Sequence, residues 1–224
     1  MPSTVAEILT AAGARSAGVM RWGTPSSSPR TPGAPATGIY VVALADDPRT
    51  AAGARIEPPI SGSAIDELLT ARPELTLDRS RPTRGQLAGR LAAFWFPDEV
   101  VLYIGLAGPR KARSSQGELA TRVCEYYKTT LGASGPHAGG WPLKTLTCLH
   151  ELYVHFAYCD RVDAAERRGI ACFAENVSDE SRRLLRDPAH VMPFANLEFP
   201  KGTSKDHGIR GARAPRHGSP RGSG

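Results

Sequence analysis

The chain has 224 residues, 41% of them hydrophobic and 22% charged, which suits an ordinary soluble protein with one full core or two small ones. No apolar run approaches a membrane span, and the N-terminus carries Glu7 where a signal peptide is apolar, so a cytoplasmic protein without membrane contact is expected. The net charge is +6, and five of those charges belong to residues 201–224, which hold six Lys and Arg against Asp206 alone.

Residues 4–13 predict a short helix and "GVMRW" (18–22) a short strand, followed by a stretch with four prolines in sixteen residues that breaks regular structure. Residues 1–36 therefore read as an N-terminal extension and linker. "GIYVVAL" (38–44) does not alternate, so it predicts a strand buried on both faces. Two helix signals follow: "SAIDELLTA", opening on Ser63 with Asp66 three residues on, and "TRGQLAGRLAAFW", opening on Thr83 with Gln86. They mark a helical insertion over about 45–97, ended by Pro97. "EVVLYIG" is the next strand. "SSQGELATRVCEYYKTTLG" gives the clearest helix, with a Ser115/Glu118 capping pattern and Gly132 as its stop.

A Gly-rich loop containing His137, Trp141 and Lys144 leads to a third strand, "ELYVHFAYC" (151–159), and a helix over 162–177. A shorter helix over "DESRRLLRD" precedes "PFAN". The four cysteines are dispersed without a Cys-x-x-Cys pair, so reduced thiols are expected rather than a zinc site or a disulfide framework. His150 and His155 read as ordinary surface or core histidines. The expected fold is α/β or α+β: a small central sheet of about three strands flanked by helices over residues 37–200, with a helical insertion. Residues 201–224 read as a disordered basic tail, because Gly, Pro and Ser dominate it. The competing view is that the tail folds back near Asn196 and completes the domain.

Gly38-Ile39-Tyr40 and Tyr103-Ile104-Gly105, followed by a helix bearing Arg122 and Tyr126, resemble the GIY-YIG nuclease superfamily. Glu166 on the helix after the third strand and Asn196 in "PFAN" stand in the order of that family's remaining signature residues. The resemblance implies a metal-dependent endonuclease that hydrolyses phosphodiester bonds in DNA, with RNA as the alternative and no small-molecule substrate. It implies that Tyr40, Tyr103, Arg122, Tyr126, Glu166 and Asn196 form the catalytic set. It also implies that Glu166 holds one Mg²⁺ or Mn²⁺, and that the two tyrosine-bearing strands pair as neighbours.

The chemistry itself asks for these residue types. Phosphodiester cleavage needs an activated water, charge neutralisation at phosphorus and help for the departing oxygen. A tyrosine is a poor base near its ordinary pKa unless a cation lowers it. Arg122 offers a planar fork to phosphate and shares a helical face with Tyr126. Glu166 offers the hard oxygen that suits Mg²⁺. Arg110, Lys111, Lys201, Lys205, Arg210 and Arg213 are the expected nucleic-acid contacts, and cleavage is expected to survive removal of everything after Pro200.

Each residue also has an ordinary structural alternative, from strand tyrosines to a turn asparagine, with Glu175 as a rival carboxylate for Glu166. Two features depart from the family pattern. Leu106 stands where many members have lysine, and 62 residues (41–102) separate the tyrosines where a short connection is usual. The alternative function is a nucleic-acid-binding protein that keeps the fold with little or no turnover.

Overall fold

The computed structural model describes residues 2–23, 37–51, 57–109, 118–133, 135, 139–199 and 203–214. In chain order the elements are α1 (Val5–Ala12), β1 (Arg15–Arg21), β2 (Gly38–Ala43), α2 (Gly62–Ala71), β3 (Thr76–Leu77), α3 (Arg84–Ala92), β4 (Val101–Ala107) and α4 (Glu118–Lys128). Two 3₁₀ turns then lead to β5 (Tyr153–Tyr158), α5 (Val162–Asn176), α6 (Asp179–Leu184), β6 (Glu198–Phe199), β7 (Thr203–Ser204) and β8 (Ile209–Arg210). No helix among the described residues is long and apolar enough to cross a membrane.

The main sheet has four strands in the order β1-β5-β2-β4, and every pairing is antiparallel. That makes the fold α+β, since no parallel crossover is present. The sheet gains a fourth strand because the segment read as an extension supplies β1, which pairs along β5 from Arg15↔Tyr158 to Arg21↔Tyr153. A capping box between Thr4 and Glu7 starts α1, and its apolar face, Val5, Ile8, Leu9 and Ala12, joins the core. Residues 2–23 therefore belong to the domain.

All six residues of β2 are buried, as its unbroken apolar run requires. Its side chains alternate between two cores. Ile39, Val41 and Ala43 meet α1 and α5, whereas Tyr40 and Val42 meet Ile65, Leu68, Leu87 and Leu91 of the insertion. The insertion thus roofs the tyrosine face while β2 and β4 still pair directly. Thr83 and Gln86 form the expected capping box, but α2 begins on Ser61, whose Oγ accepts from the Ala64 amide, two residues before the expected Ser63. The Ser115 cap lies outside the described residues.

The tail is the main correction. Residues 203–214 are folded: β7 pairs with β6, and β8 pairs with β3. Ile209 and Ala212 are buried in the tyrosine-side core. Lys205 is only 3% exposed. Its Nζ donates to the carbonyls of Pro193 (2.8 Å) and Phe194 (3.2 Å) and lies over the Phe94 ring. Burial pushes its pKa down to about 7, against a modest opposing pull from Asp187. A neutral amine has two N–H donors, which match the two carbonyls. Composition concealed this because two apolar side chains and one masked cation suffice to dock a Gly-rich segment.

Removing everything after Pro200 is therefore expected to destabilise the domain rather than merely weaken DNA binding. Ile209→Ala alone should cost about 2–5 kcal/mol. Thermal melts of the truncated chain and of Ile209→Ala check this; a melting point equal to that of the full chain would return the tail to the role of a free arm.

Candidate active site

The register of β2 on β4 sets the tyrosines. Tyr40 faces Gly105 across the ladder and Val42 faces Tyr103, so the two phenol rings are diagonal neighbours on one face, 5.9 Å apart between centroids. Tyr126 of α4 adds a third ring, 5.6 Å from Tyr103 and 6.3 Å from Tyr40, and its hydroxyl donates to the Gly140 carbonyl at 2.6 Å. The strand glycines make room. A Cβ on Gly105 would stand 2.6 Å from the Tyr40 ring and hydroxyl, and one on Gly38 would stand 2.1 Å from the Ala157 carbonyl oxygen.

Gly105→Ala should therefore push the two phenols apart and cost about 1–3 kcal/mol by overpacking. Denaturant unfolding measures the loss, and near-ultraviolet circular dichroism reads the displaced rings. An unperturbed aromatic spectrum would show that the pair does not depend on this glycine.

The three phenols are not equivalent. Tyr40 and Tyr126 are fully buried, whereas Tyr103 is 7% exposed and lines a cleft of about 760 Å³. Burial raises all three pKa values, with Tyr103 pushed up to about 12. A hydrogen bond between the Tyr40 and Tyr103 hydroxyls raises Tyr40 further and lowers Tyr103. Arg122 and Arg213 also pull Tyr103 down, while Glu166 pushes it up.

Arg122, half-buried on α4, lines the same cleft and lies 3.8 Å from Glu125. Glu166 reaches the cleft from the first turns of α5. Burial first, and Asp163 second, raise its pKa to about 7 against the pull of Arg122 and Arg167. Asn196 is also at the cleft, with its amide committed to the backbone. Oδ1 accepts from the Ile104 amide (2.9 Å) and Nδ2 donates to the Ile104 carbonyl (2.8 Å). Since β4 is the sheet edge, this pair of bonds satisfies it and fixes the strand that carries Tyr103.

The folded C-terminal segment forms another wall, to which His207, Arg210 and Arg213 contribute, joined there by Glu198. Sequence reasoning named the two arginines as parts of a free arm and missed His207 and Glu198, for which spacing offered no signal. Lys205 is corrected from a phosphate contact to a buried anchor. Arg110, Lys111, Lys201 and His137 lie outside the described residues. Lys144 does not face a phosphate path: its Nζ donates to the Tyr126 and Thr129 carbonyls and caps the end of α4. Trp141 is a buried anchor at the cleft rim. His155 is buried against the Ala45 carbonyl, and His150 is exposed. Leu106, opposite Ile39, packs toward the α1/α5 core, away from the tyrosine face. The four cysteines are free.

Among the described residues no group of three or more His, Cys, Asp or Glu is arranged to hold a metal ion. A single-carboxylate Mg²⁺ site asks for less. Glu166 fits one: its desolvated carboxylate has no hydrogen-bond or ion-pair partner among the described residues, and a cation would offset the burial that now holds its pKa high. Glu198 is the second carboxylate on the cleft. No family model matches the chain, and no curated protein or solved structure matches it either.

Proposed function

We propose that the protein is a metal-dependent phosphodiesterase acting on DNA, a nuclease built on a GIY-YIG-like arrangement of strands. The reading rests on one observation: Tyr103, Arg122 and Glu166, brought from β4, α4 and α5, line one cleft, with Tyr40 hydrogen-bonded behind Tyr103. The order of β4 beside β2 and β2 beside β5 supports it, because both tyrosine strands then serve one site.

Arg122 receives the non-bridging phosphate oxygens. Tyr103 in its ionised form, which Arg122 and Arg213 favour against the burial that raises its pKa to about 12, takes the proton from the attacking water as that oxygen bonds to phosphorus. The bond from phosphorus to the departing oxygen breaks on the far side, and that oxygen is protonated from solvent. Glu166 would hold a divalent cation, which when bound would supply neutralisation of the charge that develops at the phosphate. Tyr40 holds the Tyr103 hydroxyl in place, and Asn196 holds the strand beneath it.

Incubation of supercoiled plasmid with the full chain tests this. Nicking that requires Mg²⁺ and stops with chelator is expected. Retardation of DNA without nicking in Mg²⁺ or Mn²⁺ would favour a binding protein that lacks turnover. That second reading draws on the raised pKa of every phenol at the site.

A further inference from the structure

We infer that the C-terminal segment supplies a second phosphate-gripping guanidinium, Arg213, which acts with Arg122 on one phosphodiester in the cleft. The inference rests on the phosphodiesterase reading for its substrate, and it assigns part of the site to a segment whose composition resembles a free tail.

Four observations carry it. First, Arg213 and Arg122 line the same cleft from elements far apart in the chain, the C-terminal segment and α4. Second, the backbone beneath Arg213 is fixed on both sides. The Gly211 carbonyl accepts from Arg72 Nε at 3.1 Å, the Ala214 amide donates to the Gly132 carbonyl at 3.0 Å, and Ala212 between them is buried. Gly211 has φ +71°, a left-handed turn that aims the chain, and a Cβ there would lie 3.2 Å from the Glu74 carbonyl oxygen.

Third, both guanidiniums act on the same phenol, each favouring ionisation of Tyr103. Tyr103, Arg122 and Arg213 all line this cleft. Fourth, Arg213 is available. Its ion pair with Glu198 is 3.4 Å long, between side chains 44% and 64% exposed. Such exposed pairs are weak, and a phosphate that accepts a bidentate fork outcompetes them.

The ordinary alternative is a surface pair that joins β6 to the C-terminal segment. It predicts a small stability change on mutation and no effect on anions. Calorimetric titration of inorganic pyrophosphate into the full chain separates the two. Arg213→Gln should lower pyrophosphate affinity about 10- to 100-fold, the worth of a charge-assisted hydrogen-bonding group. Arg213→Lys, which keeps charge without the fork, should fall between, and melting points should stay near that of the unaltered chain. Unchanged affinity in Arg213→Gln, or no measurable pyrophosphate binding by the unaltered chain, overturns the inference.

Plasmid cleavage is read in parallel. If Arg213→Gln loses pyrophosphate while the unaltered chain cleaves nothing, the anion grip stands and the phosphodiesterase reading falls. If the unaltered chain cleaves and Arg213→Gln binds pyrophosphate normally, the reading stands and the grip falls.

Discussion

Glu166→Gln is expected to remove Mg²⁺-dependent cleavage, by at least about 10²- to 10³-fold, while DNA retardation persists. The substitution keeps the shape of the side chain and deletes a charge that the fold holds at a cost. Burial raises the Glu166 pKa from its ordinary 4.5 to about 7, so the native state binds this proton more tightly than the unfolded chain. Stability from this group is therefore full below about pH 4.5, falls as pH rises toward 7, and stays lower above it. Glutamine escapes that loss. Metal-free Glu166→Gln should match the parent at pH 4.5 and exceed it at pH 8, by at most about 3 kcal/mol. Mg²⁺ should raise the melting point of the parent above pH 7, release protons on binding near and below pH 7, and leave the variant unmoved. A variant that loses activity while becoming more stable is not simply unfolded. Undiminished cleavage would move the metal role to Glu198 on the same cleft. Glu175 is exposed, nine residues further along α5, and does not line the cleft.

Much of the sheet was legible because its strands are continuous apolar runs. "GIYVVA", "VLYIGLA" and "YVHFAY" are almost wholly buried, and burial on both faces writes itself into composition. β1 was only half legible: as the outer strand it has exposed and partly buried positions, a glycine and an arginine at each end, with little periodicity to read. β7 and β8 are two residues each and carry no pattern. Their place comes from long-range tethers, such as the Lys205 amine between two carbonyls, and net charge misleads when a lysine is buried.

At the site, the order of Tyr40, Tyr103, Arg122 and Glu166 along the chain was visible. The ranking of the tyrosines was not, because it depends on what covers them. The helices of the insertion and the ring of Tyr126 close over Tyr40, while Tyr103 keeps its edge on the cleft. Asn196 was named for its place in the sequence. Its bonds to the Ile104 backbone depend on β4 being the sheet edge, which no local pattern records.

Tyr103→Phe should slow cleavage by about 10²- to 10⁴-fold, the range for a lost general base, whereas Tyr40→Phe should slow it only about tenfold. Both variants delete one hydroxyl and keep the ring, so packing of the stack survives. The difference lies in where each hydroxyl points. Tyr103 faces the cleft, and Tyr40 is sealed behind it, hydrogen-bonded to the Tyr103 hydroxyl. That bond favours the ionised form of Tyr103. Removing it raises the Tyr103 pKa, already about 12 in the parent, so the rising limb of the pH–rate profile in Tyr40→Phe should lie at higher pH and its rate should be lower throughout the range up to pH 10. A Tyr40 without influence on the Tyr103 proton would leave the rate of Tyr40→Phe equal to that of the parent across this range. Single-turnover rates measured between pH 6 and pH 10 at saturating protein would decide. A larger loss in Tyr40→Phe than in Tyr103→Phe would reverse the assignment and make the sealed phenol the base. Normal rates in both would return the pair to the core, as two strand aromatics that happen to share a face.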